Sequence, residues 1–468
     1  MALWGALGRG ARRDGGNDMR TLHLGLFDNP QANSSGTATW RHPASERHRF
    51  DDLAYWTDLA RICEAAGLDF LFLADAWGWS EIDGERPDIC SIESLDLPRL
   101  DPAVVAAALI TCTTRLGLVI TGSTLLEHPY SLARRLASMD HLSHGRLGWN
   151  IVTTGTASTA VQAFGVPMVD HDERYRMAED FMEVVYQAWE GAWEPDALEK
   201  DKSGRFADPA KVHRIEHDGP YFHCHGYGNT SYSPQGTPVL FQAGSSPAGL
   251  AFGARHAEAV FLGGGDAAAL AGQTRAIRAE AGRAGRRPDA VKVMSSFDCV
   301  VARTHEEAIA KHESILAAQH PDVAVASYAM FTGLDLSSYP ADTPMTDLRT
   351  ELSQWQVTRF AGKTVGQVLR DWAAHGVGAA PFVGSAEEVA DHLCSLADAA
   401  DLDGFLLHPQ VQPASTIDFV ELVLPILRER GVVRTAQDAP TLRQRLLDSP
   451  EPTLPSDHPG AAHRVRRA

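Results

Sequence analysis

The chain has 468 residues, with 42 Lys and Arg against 60 Asp and Glu, and a formal net charge of −18. That length exceeds the usual one-core domain of about 100–200 residues, so it fits either several domains or one large barrel with insertions. With 44% hydrophobic and 22% charged residues the chain is globular; no apolar run reaches the ~20 residues of a bilayer span, and dispersed negative charge opposes nucleic-acid binding.

In residues 1–18 a weakly apolar stretch precedes the arginines, the reverse of a secretory order, so they are read as a disordered extension without an export signal. Six scattered cysteines, Cys63, Cys90, Cys112, Cys224, Cys299 and Cys394, form no CxxC pair. Reduced thiols in a cytoplasmic protein are expected.

Continuous apolar runs at 22–27, 70–74, 116–121, 147–152, 239–243, 259–262, 291–301 and 404–407 suit parallel strands covered on both faces. Helical spacing alternates with them. Phe50, Leu53, Trp56, Leu59, Ala60 and Cys63 make one stripe, ending near Gly67. Pro129 opens another helix with Leu132, Leu136 and Met139 on one face, and Met177, Phe181, Val184, Val185, Ala188 and Trp189 mark a third. Strand followed by helix, about eight times, predicts an α/β fold, a parallel (β/α)8 TIM barrel.

One barrel over 19–433 leaves long insertions at about 153–237 and 314–385, expected as pocket walls or lids. Residues 434–468, rich in Pro, Asp and Arg, are expected as a tail or subunit-contact arm.

Common catalytic signatures are missing: no GxxxxGK[ST], HExxH, GxSxG or helix-opening GxGxxG occurs. His223, Cys224 and His225 could suggest a metal, but successive residues of an extended segment face opposite sides and no second ligand cluster accompanies them, so no metal is expected. Candidates remain at strand C-terminal ends, where a barrel places its ligands. Asp75 follows the second run, Ser123 the third, Asn150 and Val152 end the fourth, and Ser245 and Ser246 follow the fifth. After Gly244, these hydroxyls and the helix opening at Pro247 form an anion cradle suited to phosphate; helix capping alone would also explain them.

The stretches LEHPYSLARRLASMDHLSHGRLGWNIVTT (126–154), ERYRMAEDFMEVVYQAWEGAW (173–193) and SPQGTPVLFQAGSSPAG (233–249) resemble the nitrilotriacetate monooxygenase group of the bacterial-luciferase-like flavin monooxygenases. Weaker similarity runs from the first strand to the last. The resemblance implies a barrel that binds reduced FMN (FMNH2) supplied by a separate NAD(P)H-dependent flavin reductase. It implies reaction with dioxygen through a flavin C4a-hydroperoxide, insertion of one oxygen atom into a small organic substrate, and a homodimer or homotetramer. By position it places Asp75, Ser123, Asn150 and Val152 near the isoalloxazine, and Tyr175, Ser245 and Ser246 at the phosphate. His42, after the first strand, is the candidate catalytic side chain, at a loose match; a surface loop histidine is the alternative. Rival readings are a deazaflavin-dependent oxidoreductase of the same fold and a non-catalytic flavin-binding barrel. Few basic residues between 315 and 363 favour a neutral or modestly polar substrate.

Overall fold

The computed structural model describes residues 21–33, 37–82, 84–153, 157–244, 246–320, 322–350, 354–376, 380–434 and 439–465. The extension expected at 1–18 and the candidate Ser245 lie outside them.

Eight parallel strands close into a barrel in sequential order: β1 (His23–Asp28), β2 (Phe70–Leu73), β3 (Gly117–Ser123), β4 (Leu147–Val152), β5 (Val239–Gln242), β6 (Ala259–Leu262), β7 (Lys292–Phe297) and β8 (Gly404–Leu407). Helices α1 (Leu53–Ala65), α2 (Pro102–Leu109), α3 (Pro129–Leu142), α4 (His171–Tyr186), α5 (Pro247–His256), α6 (Ala267–Arg283) and α7 (Ala386–Ala400) return the chain between strands. This is the expected (β/α)8 barrel. The predicted helical stripes are its buried faces: Trp56, Leu59, Ala60 and Cys63 on α1, Leu132, Leu136 and Met139 on α3, and Phe181, Val184 and Val185 on α4. Asp52 caps α1 by accepting the Ala54 N–H, so the helix begins after Phe50.

The run at 291–301 is two strands. β7 ends at Phe297, and Cys299–Ala302 leaves the barrel to pair in parallel with Phe382–Ser385. Both halves are buried, as at Val293, Met294, Val300 and Val301, so apolar continuity hid the break.

Within the first insertion, Arg214–Asp218 and His223–Tyr227 form an antiparallel hairpin. His223 and His225 share its exposed face and Cys224 is buried on the other. The His225 ring lies 2.9 Å from both Glu216 and Asp218, a solvated charge cluster. In the second insertion, Tyr328, Leu336, Met345, Val368 and Trp372 build a small core of their own. Its helix Val323–Thr332 sets Val323 and Ala326 against Ala38, Cys90 and Leu95, on the loops after β1 and β2. The insertion therefore packs on two of the loops at the C-terminal side of the barrel.

The opposite mouth is closed by the segment expected as a tail or arm. Leu442 and Leu446, on helix Leu442–Leu447, join Phe70, Val119, Phe241 and Phe261 in the barrel interior. Beside them Arg443, with no exposed side-chain surface, meets the equally buried Glu258 at 2.6 Å and donates to the carbonyls of Gln235, Thr237 and Pro452. No described helix is long and apolar enough to cross a membrane.

Candidate active site

Strand ends β2 to β4 carry four of the residues singled out in the sequence. Asn150 is 5% exposed; its amide nitrogen donates to Thr121 Oγ1 at 3.0 Å, while its Oδ1 is buried with no protein partner. Leaving such an acceptor unpaired costs about 1–3 kcal/mol, so a buried Oδ1 held in this way is suited to a ligand donor. Ser123 instead receives the amides of Leu125 and Leu126 at 3.2 and 3.1 Å and shapes the turn after β3. Val152 is its register partner, and its carbonyl accepts the Thr124 N–H at 3.0 Å.

Asp75 accepts the Ala76 N–H at 2.8 Å and lies 3.8 Å from Arg99, whose Nε donates to Gln31 at 2.8 Å. Arg99 has an 8% exposed side chain and a buried Nη1 without a hydrogen bond. Sequence reading missed it, because an arginine in a connecting loop carries no periodic signal. Burial pushes Asp75 up to about 6, against the opposing pull of Arg99. A carboxyl whose folded pKa is raised binds its proton more tightly folded than unfolded, so stability falls as pH rises from the ordinary 3.8 to about 6 and is level above that. Asp75→Asn is therefore expected to be more stable than the parent at pH 8, with the gain shrinking at pH 5. Denaturant midpoints at the two pH values check this; an equal gain at both would contradict it.

Tyr175, on α4, meets the start of α5. Ser246 caps α5, its Oγ accepting the Gly249 N–H at 3.1 Å. A Cβ on Gly249 would stand 2.7 Å from Tyr175 Oη and 3.1 Å from Ser246 Oγ. Two hydroxyls thus converge on a helix N-terminus over a bare glycine, with Gly244 behind it. Pro247 has no N–H and those of Gly249 and Leu250 are bonded to Ser246, so the positive end of the helix dipole and the two hydroxyls are what suit an anion there.

The ends of β7, β8 and β1 hold groups that the sequence did not single out. Burial raises Asp298 to about 8, so it carries a proton at neutral pH; its Oδ2 is 3.1 Å from Gln410 Nε2 and its Oδ1 is unpartnered. Burial lowers His408 to about 4, leaving a neutral ring whose Nε2 is unpartnered. That ring stacks on Phe27 at 4.1 Å between centroids. Asp28, buried, pairs with Arg47 at 2.7 Å, and burial outweighs that cation to raise its pKa. An apolar run names strand ends, but the environment that shifts a pKa exists only after folding.

His42 sits 3.2 Å from Ser314 across Nε2 and receives the Ala44 N–H on Nδ1. Partial burial, aided by nearby Lys311, lowers its pKa. It faces the helix His305–Ala317 that leads into the second insertion. Among the described residues no group of three His, Cys, Asp or Glu side chains is placed to hold a metal ion.

A sequence profile of the luciferase-like monooxygenases matches residues 19–402. The chain belongs to that family. As in its relatives, the barrel is that of a flavin-dependent monooxygenase acting with reduced flavin. The long-chain alkane monooxygenase of Geobacillus thermodenitrificans is 37% identical, over 95% of this chain and 98% of that one. Nitrilotriacetate monooxygenase component A of Aminobacter aminovorans is 32% identical, over 87% and 92%. The crystal structure of a riboflavin lyase with modified FMN and its substrate riboflavin superposes with a TM-score of 0.94 at 68% identity, covering 95% of this chain and 100% of that one.

Proposed function

We propose that this monooxygenase binds FMN, receives it reduced from a separate NAD(P)H-dependent flavin reductase, and uses dioxygen to attack riboflavin or a similarly neutral flavin. The observation that carries the cofactor reading is the cradle of Tyr175 Oη, Ser246 Oγ and the α5 N-terminus over Gly249, shaped for a phosphate that riboflavin lacks and FMN has. Asn150 Oδ1 supplies an acceptor for the ring system, and Ser245 adds a hydroxyl next to Ser246 in sequence. The substrate reading rests on the 68% identical riboflavin lyase, against 37% for the alkane enzyme.

Bound reduced FMN would supply the two electrons that activate dioxygen, one oxygen atom going to substrate and the other to water. The protein's own part is placement and exclusion. Tyr175 and α5 hold the phosphate, Asn150 and Asp75 orient the ring, Asp298 keeps a proton available at a buried oxygen, and neutral His408 offers a nitrogen that is not charged. The second insertion, seated on the loops after β1 and β2, keeps water from the reacting atoms.

His42 is the candidate proton donor or hydrogen-bond partner at the flavin edge. His42→Phe is expected to raise the fraction of oxygen lost as hydrogen peroxide, measured as peroxide formed per NADH oxidised in the reductase-coupled assay; unchanged coupling would reduce His42 to a loop residue. The function is tested by incubating the protein with riboflavin, FMN, a flavin reductase, NADH and air, and following riboflavin by chromatography. Consumption that needs both FMN and oxygen supports the reading. Riboflavin left intact while a long-chain alkane or dimethyl sulfide is oxidised would replace the substrate.

A further inference from the structure

Across the barrel from β4 stands β8, four strands away in either direction round the closed sheet. Its residues alternate, so that Leu406 faces the interior cluster and Leu407 the helix layer. His408 continues the inward set, and its ring stacks at 4.1 Å on Phe27, which packs on the interior cluster. Phe27 stacks in turn on Phe72 at 5.6 Å. The carbonyl of the next residue, Leu73, accepts from Thr121 Oγ1 at 3.3 Å, and Thr121 Oγ1 accepts from Asn150 at 3.0 Å. One line of contacts thus runs along the inner wall from His408 to the asparagine assigned to the flavin.

Beside His408 the wall carries polar atoms that lack partners. Asp298 follows the residue paired with Leu407, so the register sets it next to His408. Gln410, 7% exposed, is held by Thr39 Oγ1, which donates to its carbonyl at 2.6 Å. Gln410 Nε2 donates to Asp298 Oδ2 at 3.1 Å. Burial keeps that carboxyl protonated at neutral pH, and with Oδ2 accepting, the proton stands on Oδ1. Among the described residues neither Asp298 Oδ1, Gln410 Oε1 nor His408 Nε2 has a hydrogen-bond partner. The wall therefore offers an O–H donor and an amide acceptor on two side chains that fix each other. A ring carbonyl with an N–H next to it, as in a lactam or imide, is their complement. The pyrimidine edge of a flavin is such an imide.

We propose that Asp298 and Gln410 read the imide edge of the substrate, Asp298 donating to a ring carbonyl and Gln410 accepting the N3–H, with His408 Nε2 alongside. The proposal deepens, and rests on, the reading of riboflavin as substrate. An alkane offers neither group and would leave both oxygens unpaired.

The test loads the protein with one equivalent of oxidised FMN, so that the phosphate cradle is filled, and measures riboflavin and 3-methylriboflavin by equilibrium dialysis with chromatographic detection. The methyl group removes the N–H, so 3-methylriboflavin is expected to bind the native protein about tenfold more weakly or worse. Asp298→Asn keeps a donor and an acceptor in place and should bind riboflavin within about threefold of the native protein, whereas Asp298→Ala should lose about tenfold. Gln410→Leu should no longer distinguish the two flavins, and the Kd for FMN should stay within about twofold in all three variants. Equal binding of the two flavins to the native protein overturns the proposal without any variant having to fold. An equal loss of FMN and riboflavin binding in folded Asp298→Ala also overturns it, since the wall would then hold the cofactor. Absence of any riboflavin binding to the FMN-loaded native protein is a different failure, which overturns the substrate reading and this proposal with it.

Discussion

Gly249→Ala is expected to weaken FMN binding by about a hundredfold or more. The added Cβ would stand 2.7 Å from Tyr175 Oη and 3.1 Å from Ser246 Oγ, inside the volume assigned to the phosphate. Two charge-assisted hydrogen bonds lost at about 1.5–3 kcal/mol each correspond to that change in Kd. Alanine near the start of a helix is otherwise favourable, since glycine costs up to about 1 kcal/mol there. Fluorescence titration with FMN and with riboflavin separates the causes. Riboflavin has no phosphate, so its binding should change little; an equal loss for both ligands would move the phosphate away from α5.

The second large effect lies at the far end of the barrel. Arg443→Ala is expected to destabilise the fold by about 3–5 kcal/mol, because it strands Glu258 without its cation in the interior. Arg443 also donates to the carbonyls of Gln235, Thr237 and Pro452, which lose a donor in the same step. Pairing Arg443→Met with Glu258→Leu should recover much of the loss, since matched apolar groups need no charge compensation. Denaturant unfolding of the single and double variants measures the coupling. A single-variant cost below about 1 kcal/mol would show that the C-terminal helix is not the barrel's floor.

The barrel was legible because its strands are apolar throughout and its helices carry their buried stripes at regular spacing. Leu442 and Leu446 were not read as part of it. A six-residue helix with three leucines beside two arginines is too short to carry a periodic signal, and its place is set by the shape of the mouth that it closes. Likewise the Val300 and Val301 strand was fused to β7 because both are equally buried. At the site, Tyr175 and Ser246 were proposed from motif and helix-start chemistry, and folding brings both to Gly249. Asp298, His408 and Arg99 escaped notice. What makes them chemically unusual is burial without a full set of partners, a property of the folded environment rather than of residue type or spacing.

The most direct test of the central claim is oxygen labelling of a single turnover. The protein is loaded anaerobically with one equivalent of reduced FMN and riboflavin, mixed with 18O2, and the flavin-derived product is analysed by mass. The proposed reaction predicts stoichiometric tight binding of reduced FMN and one labelled oxygen atom in product for each FMN oxidised. Oxidation of FMN with all label in hydrogen peroxide and riboflavin unchanged would contradict it.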